Sequence, residues 1–95
     1  MRITEEERAV LTDAVRRRDP AARVWLFGSR VDDAKRGGDI DLAVLSALIG
    51  REDKRAIRRA IEDALGERHI DLVVSADGSD PLFRLAVETG VRIDE

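Results

Sequence analysis

Two aspartates, Asp39 and Asp41, open the run DIDLAVL, and a third, Asp71, stands near the start of a later run, HIDLVVS. In extended chain alternate side chains point the same way, so Asp39 and Asp41 share one face. If the two runs form neighbouring strands, Asp71 joins them. Three carboxylates at one place repel one another unless a cation joins them. Oxygen ligands of this kind suit Mg²⁺, which is held by a few carboxylates together with substrate phosphates. The competing reading makes Asp39 a residue that follows a turn and leaves Asp41 and Asp71 on a solvated face. Aspartate is depleted in strands, and two strands with matching aspartates weigh against that reading. Gly28-Ser29, directly after the apolar run RVWLF, adds a second element. Glycine lets the backbone approach a ligand closely, backbone N–H groups at such a turn can cradle a phosphate, and Ser29 offers a hydroxyl. Most Gly-Ser pairs are plain turns. This one draws its weight from position: strand, Gly-Ser, short loop, Asp-x-Asp.

The elements that must position these groups follow from periodicity. Thr4 and Glu7 have the spacing of a capping box, and Val10, Leu11, Ala14 and Val15 fall at helical intervals, which predicts a helix over 5–18 ended by Asp19-Pro20. Residues 23–27 read as a strand that breaks at Gly28. One helical turn near 31–34 and a turn at Gly37-Gly38 fill the loop. The second strand is expected over 39–45, antiparallel to the first, with Ile40, Leu42 and Val44 on one face and Asp39, Asp41, Ala43 and Leu45 on the other. Ile57, Ala60, Ile61, Ala64 and Leu65 form one apolar stripe on a helix over 51–65, stopped by Gly66. A third strand over 69–75 places Ile70, Leu72 and Val74 on one face and His69, Asp71 and Val73 on the other. Asp80 is expected to cap a last helix with Pro81 at its first position. Leu82, Phe83, Leu85, Ala86 and Val87 supply that helix's apolar side and Gly90 ends it; VRIDE adds an edge segment. The order is αββαβα: an α+β fold with a small mixed sheet of three to four strands packed by helices.

The chain has 95 residues, which predicts a single domain over 1–95 with little room for a large pocket of its own. It has no cysteine, so disulfide frameworks and thiolate metal sites are excluded. No apolar run approaches the roughly 20 residues that span a bilayer, and the first residues lack the order of a secretory signal. A soluble cytoplasmic protein with no membrane association is expected. With 17 basic and 20 acidic residues the net charge is −3, which gives no support to nonspecific nucleic-acid binding. The 43% hydrophobic content allows a packed core.

The pattern FGS, nine residues, then DID resembles the nucleotidyltransferase motif of the polymerase-β-like superfamily. The chain from VWLFGSR through GGDIDLAV and HIDLVV to LAVETGVRI is most similar to the minimal nucleotidyltransferases (MNT proteins), which often pair with an all-helical HEPN protein as antitoxin and toxin. The resemblance implies a polymerase-β palm-like fold and maps the family's site onto Gly28, Ser29, Asp39, Asp41 and Asp71. It implies an Mg²⁺-dependent transferase that moves a nucleoside monophosphate, AMP from ATP, to a hydroxyl of a partner protein. Asp39 and Asp41 would bind metal. Asp71 would hold a second metal and help remove the acceptor's proton. Gly28 and Ser29 would hold the β- and γ-phosphates, with Arg30 reaching the triphosphate or lying on the surface. The implied partner is a HEPN-type protein, in a homo- or hetero-oligomer. The alternatives are a non-catalytic antitoxin that neutralises its helical partner by contact and, ranked last, a small-molecule adenylyltransferase. Many members have ten residues between the two motif halves and an Ala-Arg-Gly-like continuation where this chain has Val31-Asp32-Asp33.

Other residues carry two readings each. Lys35 and Arg36 either neutralise phosphate or belong to a solvated turn. His69 either touches substrate or acceptor, or is structural. Trp25 is read as a core or partner-facing side chain. Arg51, Lys54, Arg55, Arg58 and Arg59, like Arg16–Arg18, form either a solvated face paired with Glu62 and Asp63 or a docking surface for an acidic partner or RNA.

Overall fold

The Thr4-Glu7 spacing closes as a reciprocal cap. Thr4 Oγ1 accepts the Glu7 N–H at 3.0 Å, and Glu7 Oε1 accepts the Thr4 N–H at 2.9 Å. The computed structural model describes residues 3–28 and 39–95. Within them the order is α1 (Glu5–Arg16), β1 (Arg23–Phe27), β2 (Ile40–Leu45), α2 (Arg51–Leu65), β3 (Ile70–Ser75), α3 (Pro81–Thr89) and β4 (Val91–Arg92). Ser29, Arg30, the expected turn over 31–34 with Asp32 and Asp33, Lys35, Arg36 and the Gly37-Gly38 turn lie outside the described residues.

Helix α1 ends two residues before the expected 18. The Arg18 and Asp19 N–H groups both donate to Val15 O, which tightens the last turn. Asp19 is buried: its Oδ1 accepts the Ala21 N–H at 3.0 Å and its Oδ2 accepts the Ser46 hydroxyl at 2.5 Å. Strands β2 and β3 each begin one residue later than expected, so Asp39 and His69 precede their strands. The pairing nevertheless reaches back to them, since Ile40 N–H donates to His69 O at 2.9 Å.

The four strands form one mixed sheet in the order β3-β2-β1-β4. β1 is antiparallel to both β2 and β4, whereas β2 and β3 are parallel, joined by the crossover through α2. One face carries Val24, Leu26, Ile40, Leu42, Val44, Ile70 and Leu72. These pack with Leu11 and Val15 of α1 and Ile57 and Ile61 of α2 into the main core. The other face carries Ala43 with Trp25, Phe27, Leu45 and Val73, packed against Phe83, Ala86 and Val87 of α3. Trp25 stands edge-on to Phe83 at 5.5 Å between ring centroids, with the Arg92 guanidinium over its ring at 5.7 Å.

Two expectations for α3 are corrected. Asp80 occupies the N-cap position, but its side chain makes no capping hydrogen bond; Pro81, which has no N–H to satisfy, starts the helix instead. Of the five apolar residues, only Phe83, Ala86 and Val87 meet the sheet, and Leu82 and Leu85 are 61% and 56% exposed. A nine-residue helix lying on one sheet face has one stripe to bury, and those two fall outside it.

The tail returns to the start of the chain. Ile93 is buried, its N–H donates to Val24 O, and Arg8 Nε donates to Ile93 O at 2.7 Å. The Asp94 carboxylate is fully enclosed. It accepts two hydrogen bonds from Arg92 at 2.8 and 3.0 Å, one from Arg16 at 2.8 Å and one from the Val24 N–H at 2.9 Å. Burial alone would raise its pKa, but the Arg92 and Val24 hydrogen bonds and the Arg92 charge outweigh it and hold the carboxyl below the usual range. Among the described residues no helix is long and apolar enough to cross a membrane.

Candidate active site

Three strands converge at one end of the α3-side sheet face. The antiparallel register sets Phe27 beside Asp41, and the parallel register sets Asp41 beside Asp71. Alternation along β2 and β3 puts both carboxylates on the same side as Ala43 and Val73, so residues 30 positions apart in the chain meet because the crossover returns β3 in phase with β2. A one-residue slip of that register would turn Asp71 into the main core.

Gly28 closes the third side. Its φ of +77° lies in the left-handed region that side chains rarely adopt, and a Cβ added there would run into the Asp41 carboxylate. The site therefore needs glycine at this point for two separate reasons.

Asp41 is half-buried, and its pKa is raised. Burial is the largest cause, followed by the hydrogen bond with Asp71, the Asp71 charge and the Asp39 charge; His69 opposes them. Asp39, exposed and one residue ahead of β2, is thus near enough to press on Asp41. His69 Nε2 lies 3.2 Å from Asp71 Oδ1, with both side chains more than half exposed. Of the sequence-predicted residues, the structure brings together Gly28, Asp41 and Asp71, with Asp39 at the margin and His69 against Asp71. Ser29 and Arg30 lie outside the described residues.

Among the described residues no three His, Asp or Glu side chains close into a ready-made metal cage. The donor set nevertheless fits a divalent cation. Its atoms are hard oxygens, and two neighbouring carboxylates under the field of a third force one of them toward its protonated form until a positive charge arrives. A site that takes only a few ligands from the protein leaves the remaining positions for water and phosphate oxygens.

Sequence reasoning missed the Asp94 cluster, whose partners Arg16 and Val24 lie 78 and 70 residues away. No local spacing marks such a contact. It also left the basic faces undivided. Arg16 and Arg18 have structural partners in Asp94 and Asp53, each at 2.8 Å, while Arg51, Lys54 and Arg55 make no ion pair among the described residues.

Comparison with known proteins agrees with this geometry. Among curated proteins no match is found. The family model described as polymerase beta, nucleotidyltransferase matches residues 10–95, which takes in β1, Gly28, all three aspartates and the returning tail. The chain belongs to the polymerase-β nucleotidyltransferase family.

Proposed function

We propose that this chain is an Mg²⁺-dependent adenylyltransferase that moves AMP from ATP to a hydroxyl of a partner protein. The side-by-side placement of Asp41 and Asp71, with Gly28 against Asp41, carries the reading. Polymerase-β-type nucleotidyltransferases generally use a nucleoside triphosphate and a divalent metal. Asp39, Asp41 and Asp71 would hold the cation, which would supply positive charge where the transfer builds up negative charge on oxygen.

The chain's own groups have distinct tasks. Gly28 brings the turn against the Asp41 carboxylate, and Ser29 and Arg30 follow it as the phosphate-binding residues. The acceptor hydroxyl oxygen forms a bond to the α-phosphorus while the bond from that phosphorus to the bridging oxygen breaks and pyrophosphate leaves. Asp71 takes the hydroxyl proton as general base. Its carboxylate is 56% exposed, which leaves the acceptor side open to a hydroxyl brought by another molecule. His69 Nε2, 3.2 Å from Asp71 Oδ1, borders the same carboxylate.

The partner that fits the family resemblance is an all-helical HEPN-type protein, with this chain as the antitoxin of an MNT pair. Incubation with α-labelled ATP, Mg²⁺ and that partner should move label onto the partner, and Asp39→Asn with Asp41→Asn should abolish the transfer. Equal labelling by the double variant sinks the proposal. The second reading, neutralisation by contact alone, is favoured by the exposed Leu82 and Leu85 on α3. It predicts that the double variant still protects against the toxin and that Leu82→Ser with Leu85→Ser does not.

A further inference from the structure

A cavity of about 550 Å³ opens where α2 begins, against the C-terminal ends of β2 and β3. Arg51, Lys54, Arg55 and Arg58 line it, Ile49 and Val74 give it an apolar part, and no carboxylate is among its lining residues. The four cations fall at i, i+3, i+4 and i+7, one stripe about 10 Å long on a single helix face.

Such a stripe opposes folding when left alone. Like charges three and four apart on a helix repel one another, and the acids of the same helix do not relieve them. Asp53 is engaged by the Gly50 N–H and by Arg18, and Glu62 and Asp63 lie beyond the cavity. Arg58 is anchored to the outer strand through Nε to Ile70 O at 3.1 Å. A chain of net charge −3 thus gathers around a hollow four cations that make no ion pair among the described residues.

The cavity is separate from the carboxylate site. Ser46, at its edge, follows Asp41 by five residues, about 17 Å along the strand. Val74 packs on the main-core side, whereas Asp41 and Asp71 lie on the α3 side.

We propose that this cavity binds a small organic anion carrying two or more phosphoryl groups. Its volume falls in the range of about 300–1,000 Å³ typical of small-molecule sites. A stripe about 10 Å long exceeds the reach of one phosphate. Ile49 and Val74 meet the organic part. Glu52 beside the stripe and Glu62 and Asp63 past its far end repel an extended polyanion, which favours a compact ligand over a nucleic-acid backbone.

The test is a backbone-amide NMR titration with inorganic tripolyphosphate in the presence of EDTA. Saturable shifts are expected over residues 50–58, both in the unaltered chain and in Asp39→Asn with Asp41→Asn. That background makes the result independent of the proposed transferase reaction. Lys54→Glu with Arg55→Glu should weaken binding at least about tenfold; should that protein fail to fold, Lys54→Ala with Arg55→Ala should weaken it severalfold. The proposal is overturned by shifts confined to residues around Gly28, Asp41 and Asp71, by no shift up to about 10 mM ligand, or by unchanged affinity in the alanine pair. It is equally overturned if a single-stranded RNA binds the same amides more tightly than tripolyphosphate and gains affinity with length.

Discussion

A Cβ on Gly28 would occupy the space of the Asp41 carboxylate. The turn that ends β1 and the aspartate on β2 are therefore fitted closely to each other, and a side chain at residue 28 has no room unless Asp41 moves.

Gly28→Ala tests that fit. The left-handed backbone costs a side chain about 1–2 kcal/mol, and the collision forces Asp41 or the turn to move. Thermal melting should show a modest loss of stability. Transfer activity should fall further, by about tenfold to a hundredfold, because small displacements of reacting groups are costly. Wild-type activity in a folded Gly28→Ala protein would mean that Asp41 does not act from its observed position.

Asp41→Asn separates stability from function. The raised Asp41 pKa means that the metal-free fold binds this proton more tightly than the unfolded chain does. Stability therefore falls as pH climbs through the raised value, and the loss is complete above it. Without divalent ions, Asp41→Asn should be more stable than the unaltered chain at neutral pH and should lose that part of the pH dependence. Urea titrations at several pH values measure it. Added Mg²⁺ should stabilise the unaltered chain and not the variant, and transfer should drop at least about a hundredfold.

Asp94→Ala should destabilise without touching the site. It strands Arg16, Arg92 and the Val24 N–H at once. Removing one member of such a cluster costs roughly 2–4 kcal/mol, toward the low end because both arginines keep part of their heads in water. The sign with pH is opposite to that of Asp41. A lowered pKa gives stability that is present above the unfolded value and lost as pH falls through the folded one. The unaltered chain should therefore lose this contribution in acid, and Asp94→Ala should show a flatter acid limb.

The site was legible in the sequence to the extent that it is built from local patterns in strands. Asp41 and Asp71 occupy equivalent places in two apolar runs, and the parallel register makes that equivalence spatial. The extents of β1 and α2 follow directly from composition and periodicity. What escaped depends on partners that no spacing reveals. The exposure of Leu82 and Leu85 is set by how α3 lies on the sheet, and hydrophobicity alone does not report it. Asp39 reads as a strand residue by alternation, yet the β2 ladder begins one residue after it.

The Val24–Asp94 hydrogen bond joins groups 70 residues apart. At translation rates of about 5–20 residues per second, β1 is synthesised roughly 4–14 s before that carboxylate. The strand that carries Gly28 can meet β2 well before then, but its other edge stays bare. Loss of residues 91–95 would leave that β1 edge open, a row of unpaired backbone groups able to take up a strand from a neighbouring chain.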